Sequence, residues 1–351
     1  MKTEMVVLCL AFFLPAPLLA REKSDVIIMK NGDRITCEIK GLASDTLYIS
    51  VDYILGTSPV EWSKVDHLES SQLFIVKTQD GLVYSGALST TASSGGRPIN
   101  IQILEPSDTK VEIEKSQIIK LDETASTIWQ RFNGDIGLGF TYSKGNKAAQ
   151  YNFNSYVEYP RERWSANVAY SSTLTSSSGA SPATRNEIDA NLQRLLRWNN
   201  WYYAGLTDFL QSSEQGIQLQ STLGAGIGRY FVNTNRSTFS LLGGIVWQRT
   251  NYQQAIVSSL TQNSGSALIG SELKLFRFDK TNLAVSALLL PSITQSGRVH
   301  FNLNTTYYVK LWSNLTWNIS LYGNWDNQPP PSFSGSDYGT STGVAWKFGN
   351  R

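Results

Sequence analysis

From Gly134 to its end the chain is a train of short segments in which apolar and polar residues alternate. A period of two dictates extended strands with one dry face and one wet face. Ile136, Leu138, Phe140 and Tyr142 share a face, as do Trp164, Ala166, Val168 and Tyr170, and later Leu315, Trp317, Ile319, Leu321 and Trp325. Their opposite faces carry Asn, Ser, Thr, Glu and Arg. About twelve such segments of ~10 residues follow one another, the length with which a tilted strand crosses a bilayer. Alternation alone also suits a soluble sandwich, but the connections separate the two. The stretches 143–150, 171–185, 211–216, 253–265, 292–297 and 326–337 are long, and those at 160–163, 198–200, 232–236, 278–282 and 311–313 between them are short. An up-and-down membrane barrel sorts its loops this way, with short turns in the periplasm and long loops outside, whereas a Greek-key sandwich has no reason to. Only Tyr202 to Phe209 has no readable facing.

The rest of the chain agrees. Charged residues make up 17%, while there are 10 Trp and 16 Tyr in 351 residues. A net charge of +2 gives no pull on nucleic acid. Residues 1–20 read as a secretory signal: Lys2, an apolar run from Met5 to Leu14 too short to span, the breakers Pro15 and Pro17, and Ala20 at the cleavage point. Cys9 leaves with that segment. Cys37 then stands alone, without an intramolecular disulfide partner, in a small-residue position that predicts burial. No later apolar stretch approaches the ~20 residues of a membrane helix.

Residues 21–125 look like one unit written twice. Val26-Ile27-Ile28 leads to Asn31-Gly32, and Phe74-Ile75-Val76 leads to Asp80-Gly81; both dipeptides mark tight hairpin turns. Leu47-Tyr48-Ile49 answers Ile99 to Ile103, Val60-Glu61 answers Val111-Glu112, and Ser63 to Leu68 answers Ser116 to Leu121. The second copy carries a soft insert at Ser93 to Gly96. Two copies of about fifty residues with several short strands predict two small, bent β-barrels similar to SH3 or Sm modules. His67 reads as a surface residue, with no second His or Cys nearby to build a zinc set.

Aromatic residues crowd the short-turn ends: Tyr159, Trp164, Trp198, Trp201, Tyr230, Phe231, Phe278 and Trp312. Amphipathic rings favour the headgroup level, so these predict a periplasmic girdle. The closing segment, Ser341 to Phe348, resembles the C-terminal signal read by the barrel-assembly machinery, with Gly343, Trp346 and Phe348 in its key positions and three further residues after Phe348. Together with the Gly-rich phrase Thr222 to Tyr230 and the run Gly343 to Phe348, residues 130–351 resemble the salt-inducible outer-membrane protein family, domain of unknown function 481. That resemblance implies a barrel in the outer membrane and no catalytic residues.

The expected fold is therefore all-β: an antiparallel up-and-down transmembrane barrel of about twelve strands, after two SH3- or Sm-like modules in the periplasm. By parity the lumen carries Glu158, Arg163, Glu187, Asp189, Glu272, Lys274, Arg298 and His300. Glu187 and Asp189 stand two apart on one face, as an acid pair would, but Asn191 and Gln193 continue that face, which favours a wet wall. His300 faces the lumen beside Asn302, and a nucleophilic triad needs groups within hydrogen-bond reach of it. No phosphate loop, metal cluster or haem motif occurs, so no cofactor is expected. The expectation is a non-enzymatic barrel in contact with outer-membrane lipid and the assembly machinery. Its module would bind a periplasmic protein or peptidoglycan. A small diffusion channel is the alternative, and a lipid-active enzyme the third reading.

Overall fold

The computed structural model describes residues 23–91, 99–105, 109–124, 131–143, 148–161, 163–179, 181–196, 199–256, 259–277, 281–312, 314–329 and 335–348. The expected signal at 1–20, the insert at Ser93 to Gly96, Trp198, Phe278 and the residues after Phe348 lie outside these.

The N-terminal unit has nine strands: β1 (Asp25–Met29), β2 (Arg34–Ala43), β3 (Thr46–Ser50), β4 (Ser58–Glu61), β5 (Val65–Thr78), β6 (Val83–Thr90), β7 (Asn100–Leu104), β8 (Lys110–Glu114) and β9 (Ile118–Glu123). The duplication is visible in the pairing. The first half of β5 pairs with β1, and β9 pairs with the second half of β5. A single 3-10 turn precedes each closing segment, at Trp62–Lys64 and Lys115–Gln117. The two expected barrels are nevertheless not separate. β5 runs unbroken through both copies, and β9 also crosses to β2 at Gly41 and Leu42. β1, β2, β9 and β5 thereby close a small four-stranded ring, with β3–β4 and β6–β7–β8 as flanking strands. One apolar core, from Ile27 and Ile39 through Phe74 and Val76 to Ile118 and Leu121, serves both copies. Units of about fifty residues bury little surface and are marginal alone, and a shared core relieves that shortage. Cys37 is fully buried in it. So is Asp25, whose carboxylate accepts from Ile39 N at 2.8 Å and Ser70 Oγ at 2.5 Å, tying β1 to β2 and β5.

Twelve strands follow: β10 (Asn133–Ser143), β11 (Ala148–Pro160), β12 (Trp164–Ser176), β13 (Ala183–Leu195), β14 (Trp201–Ser212), β15 (Ile217–Asn233), β16 (Ser237–Ile256), β17 (Ser259–Arg277), β18 (Thr281–Pro291), β19 (Val299–Lys310), β20 (Leu315–Asp326) and β21 (Ser336–Phe348). Each pairs antiparallel with the next, and β21 returns to β10, closing the barrel. The predicted apolar face points outward. Leu138, Phe140, Leu223, Ile245 and Ile269 are each more than half exposed. Such a belt is untenable in water and is the ordinary exterior of a barrel in lipid.

Three sequence-based expectations are corrected. Residues 253–256 and 259–265 are strand, not loop: β16 continues to Ile256 and β17 begins at Ser259. Ile217 points inward with Leu210 and Tyr252, because a bulge between Ile217 and Leu219 reverses the parity. Tyr230 leaves the girdle: it lies before a second bulge, lines the lumen, and accepts a hydrogen bond from Gln193 Nε2 at 2.8 Å. Among the described girdle residues, Phe231 and Trp312 are exposed, and Tyr159 packs on Phe132 and on Trp164 at ring distances of 4.9 and 5.8 Å.

Candidate functional site

The period-two alternation places the polar residues of all twelve strands in one interior, which encloses a cavity of about 1190 Å³. All eight residues predicted for the lumen line it: Glu158, Arg163, Glu187, Asp189, Glu272, Lys274, Arg298 and His300. They form separate groups. Glu272 pairs with Lys274 at 2.7 Å. Arg298, 6% exposed, holds Asp326 with two bonds of 3.2 and 2.7 Å, and His300 Nε2 lies 3.7 Å from the same carboxylate. Arg185 donates to Glu187 on its own strand and, at 3.1 Å, to Asp337 on β21, a contact that crosses the lumen. Its guanidinium also lies 5.5 Å from the Tyr322 ring.

Glu187 and Asp189 are joined by Asp208, a residue the sequence reading missed. Ligand oxygens of the three lie within 4.8 Å of one another. Among the described residues this is the one acidic group with spacing suited to a hard cation. Asp208 was hidden because β14 carries large apolar residues on both faces, Tyr202, Leu206 and Leu210 inward and Tyr203 and Phe209 outward, so hydrophobicity does not give the side. The register Asp189↔Asp208 is what puts the carboxylates together.

The lumen is not uniformly polar. On β14–β18, Val246, Leu268 and Leu290 cluster inside the barrel with Leu206, Leu242 and Leu288 packed on them. The glycines of the Thr222 to Tyr230 phrase explain how they fit. A Cβ on Gly224 would lie 2.9 Å from Val246 and 3.0 Å from Leu206; one on Gly228 would strike the Tyr202 ring at 2.3 Å. Alternate inward glycines on β15 are sockets for large inward side chains on its neighbours.

The N-terminal module stands at the short-turn end. Lys77 Nζ donates to Arg161 O at 3.3 Å, Asn200 Nδ2 to Gln79 O at 2.6 Å, and Asn235 Nδ2 to Ile118 O at 2.6 Å, while Arg236 pairs with Asp45 at 3.4 Å. Asn199 and Asn200 reach this position with φ of 43° and 62°, left-handed values that asparagine tolerates. Lys77, Thr78, Gly81 and Lys120 of the module line the same cavity as the barrel's own residues. They form its floor.

Gly343, Trp346 and Phe348 sit where β21 meets β10. Phe348 pairs with Gly134 and its ring fills the space over that glycine, whose Cβ would come within 2.6 Å of it. Trp346 is 56% exposed on the outer face. A Cβ on Gly343 would lie 2.6 Å from Leu138 O, so the closing strands touch backbone to backbone there.

A closed barrel with an apolar outer belt and a polar, partly leucine-lined interior is a transmembrane β-barrel. Within that class the chain belongs to the family described as "Protein of unknown function, DUF481", which matches residues 136–348. No curated protein matches it in sequence. Among solved structures it is similar to the translocator domain of the autotransporter NalP from Neisseria meningitidis, with 15% identity over 62% of this chain and 87% of that one and a TM-score of 0.36. A porin is similar at 11% identity, covering 79% of this chain and 98% of that one, with a TM-score of 0.29. CdiB from Escherichia coli is similar at 11% identity over 74% and 53%, with a TM-score of 0.31.

Proposed function

We propose that the protein is a non-enzymatic outer-membrane barrel whose N-terminal module lies in the periplasm, caps the barrel mouth and offers its outer face to a periplasmic protein or to peptidoglycan. The observation that carries this reading is the floor. Module residues bind three successive short turns, at Arg161, Asn200 and Asn235–Arg236, and line the lumen cavity themselves. A cap of this kind is what a regulated or sensing barrel needs and a free pore does not. The polar cavity favours the second reading, a small diffusion channel. Conductance across a planar bilayer separates them. The whole chain should conduct little, and the Asn200→Ala/Asn235→Ala pair, or removal of residues 23–124, should raise conductance. Steady conductance of the whole chain, unchanged by either alteration, favours the channel. A lipid-active enzyme rests on His300 beside Asp326; phospholipase activity abolished by His300→Ala would establish it.

A further inference from the structure

The barrel is closed unevenly. β10 pairs with β21 from Gly134–Phe348 to Leu138–Val344, and there the ladder ends. Both strands continue. Gly139 to Ser143 remain paired to β11, and Gly343 back to Ser336 remain paired to β20, but the described residues of these two stretches do not pair with each other. They still touch at Gly139 and Gly343, where a Cβ on Gly343 would lie 3.1 Å from Gly139 Cα, and at Thr342, whose carbonyl oxygen lies 2.6 Å from where a Gly139 Cβ would be, but without ladder pairing. At ~3.3 Å per residue the unpaired stretch of β10 is about 16 Å tall, on the long-loop half of the wall. Unpaired strand edges facing hydrocarbon are costly, so a ladder left unmade there needs a reason. Part of the cause is visible: Asp337, at the free end of β21, is drawn across the lumen by Arg185 at 3.1 Å.

Immediately inside the seam stands Asn152. It is 6% exposed. Its Oδ1 accepts from Gln150 Nε2 at 3.0 Å and Thr173 Oγ1 at 3.1 Å, while its Nδ2 has no partner and lies 3.5 Å from where a Gly139 Cβ would be. An unpaired buried donor is costly, and a ligand oxygen would satisfy it. Elsewhere in the lumen Leu206, Leu242, Val246, Leu268 and Leu288 give the same cavity an apolar wall. The cavity, about 1190 Å³, is at the large end of small-molecule sites.

We propose that the β10–β21 seam is a lateral portal from the membrane into the lumen, and that the lumen binds a single-chain fatty-acyl amphiphile, its head oxygen on Asn152 Nδ2 and its chain along the leucine wall. A fatty acid has the two chemistries the cavity offers, and the portal joins it to the phase in which such a molecule dissolves. This rests on the reading that the strands cross a membrane, and the test keeps the two apart. The whole protein is placed in phosphatidylcholine vesicles with a diazirine-bearing stearic acid, irradiated, and the labelled residues are mapped by mass spectrometry. Failure to enter vesicles overturns the membrane reading itself. With the protein inserted, label is expected on inward residues near Asn152 and on the leucine wall as well as on the outer belt. Unlabelled stearic acid should compete it from the inside positions. Asn152→Leu should reduce inside labelling about fivefold, the equivalent of one hydrogen bond, and Leu288→Gln should reduce it independently. Both variants are compared at equal yields of the heat-modifiable folded form. Label confined to outward residues overturns the portal. Inside label that neither variant nor competitor changes overturns the binding site. A product in which the free edges of β10 and β21 are joined to a second copy of the chain overturns both.

Discussion

Two residues of the module show how burial sets chemistry. The Cys37 thiol is pushed up to about 12, first by burial and then by the nearby Asp25 and Glu38 carboxylates. In the folded protein it should resist alkylation in mildly basic buffer and react fully once the module is unfolded; rapid labelling of the native chain would contradict the buried assignment. Lys115 occupies the position in the second copy that Trp62 holds in the first, and the two meet, with Nζ 4.8 Å from the ring centroid. The same ammonium donates to Val65 O. Burial, helped by Lys30, lowers its pKa from 10.5 to about 8, against the pull of Asp66 and Asp45. The folded pKa is below the unfolded one, so between pH 8 and 10.5 the unfolded chain binds more protons. Module stability should therefore gain a contribution as pH rises through that window. Lys115→Met should flatten this rise, seen as a loss of pH dependence in the urea midpoint of the module's transition.

At the scale of strands, barrel closure depends on small and large residues in register. Gly343→Val would drive a side chain into Leu138 O, so the variant should fail to close and should lose heat-modifiable mobility and protease resistance. Trp346→Ala removes a lipid-facing ring from the paired part of the seam. It should slow assembly while leaving the folded product intact; equal assembly rates would mean that the terminal strand is no signal. The number of strands, their outward faces and the eight lumen residues were legible because period two survives wherever a strand has one wet side. It failed where the lumen itself is apolar. β14 turns Tyr202, Leu206 and Leu210 inward, so its parity was unreadable and Asp208 went unseen. It failed again at a bulge, where one extra residue inverted Ile217, whereas Tyr230, in step with the inward glycines of β15, was misplaced for being aromatic at a short turn. In the module, the repeat was plain, but that β9 pairs with β2 is a matter of distant register, which no local pattern encodes. The glycines of β15 were visible as a phrase, and their use as sockets only once Val246 and Leu206 were seen against them.

Across the whole molecule, the module and the barrel have separate cores, and the contacts between them are polar and few in kind. Residues 23–124 expressed alone should therefore show β-type circular dichroism and one cooperative melt, not two, since the copies share Phe74, Val76 and Leu121 in a single core. Two separate transitions would mean that the strand exchange is dispensable. The docking contacts have an order in the chain. Arg161, Asn200 and Asn235–Arg236 belong to the first three short turns, those joining β11–β12, β13–β14 and β15–β16. On the proposed periplasmic placement, a polypeptide exported from its N-terminus would present a folded scaffold before its hairpins arrive, and those hairpins could be gathered on it one after another. The module would then serve as a jig for the leading half of the wall, with the trailing half recruited by the strand that ends in Phe348. Moving the module's coding segment behind β21 would keep every contact but remove its head start, and the time course of assembly should lengthen accordingly.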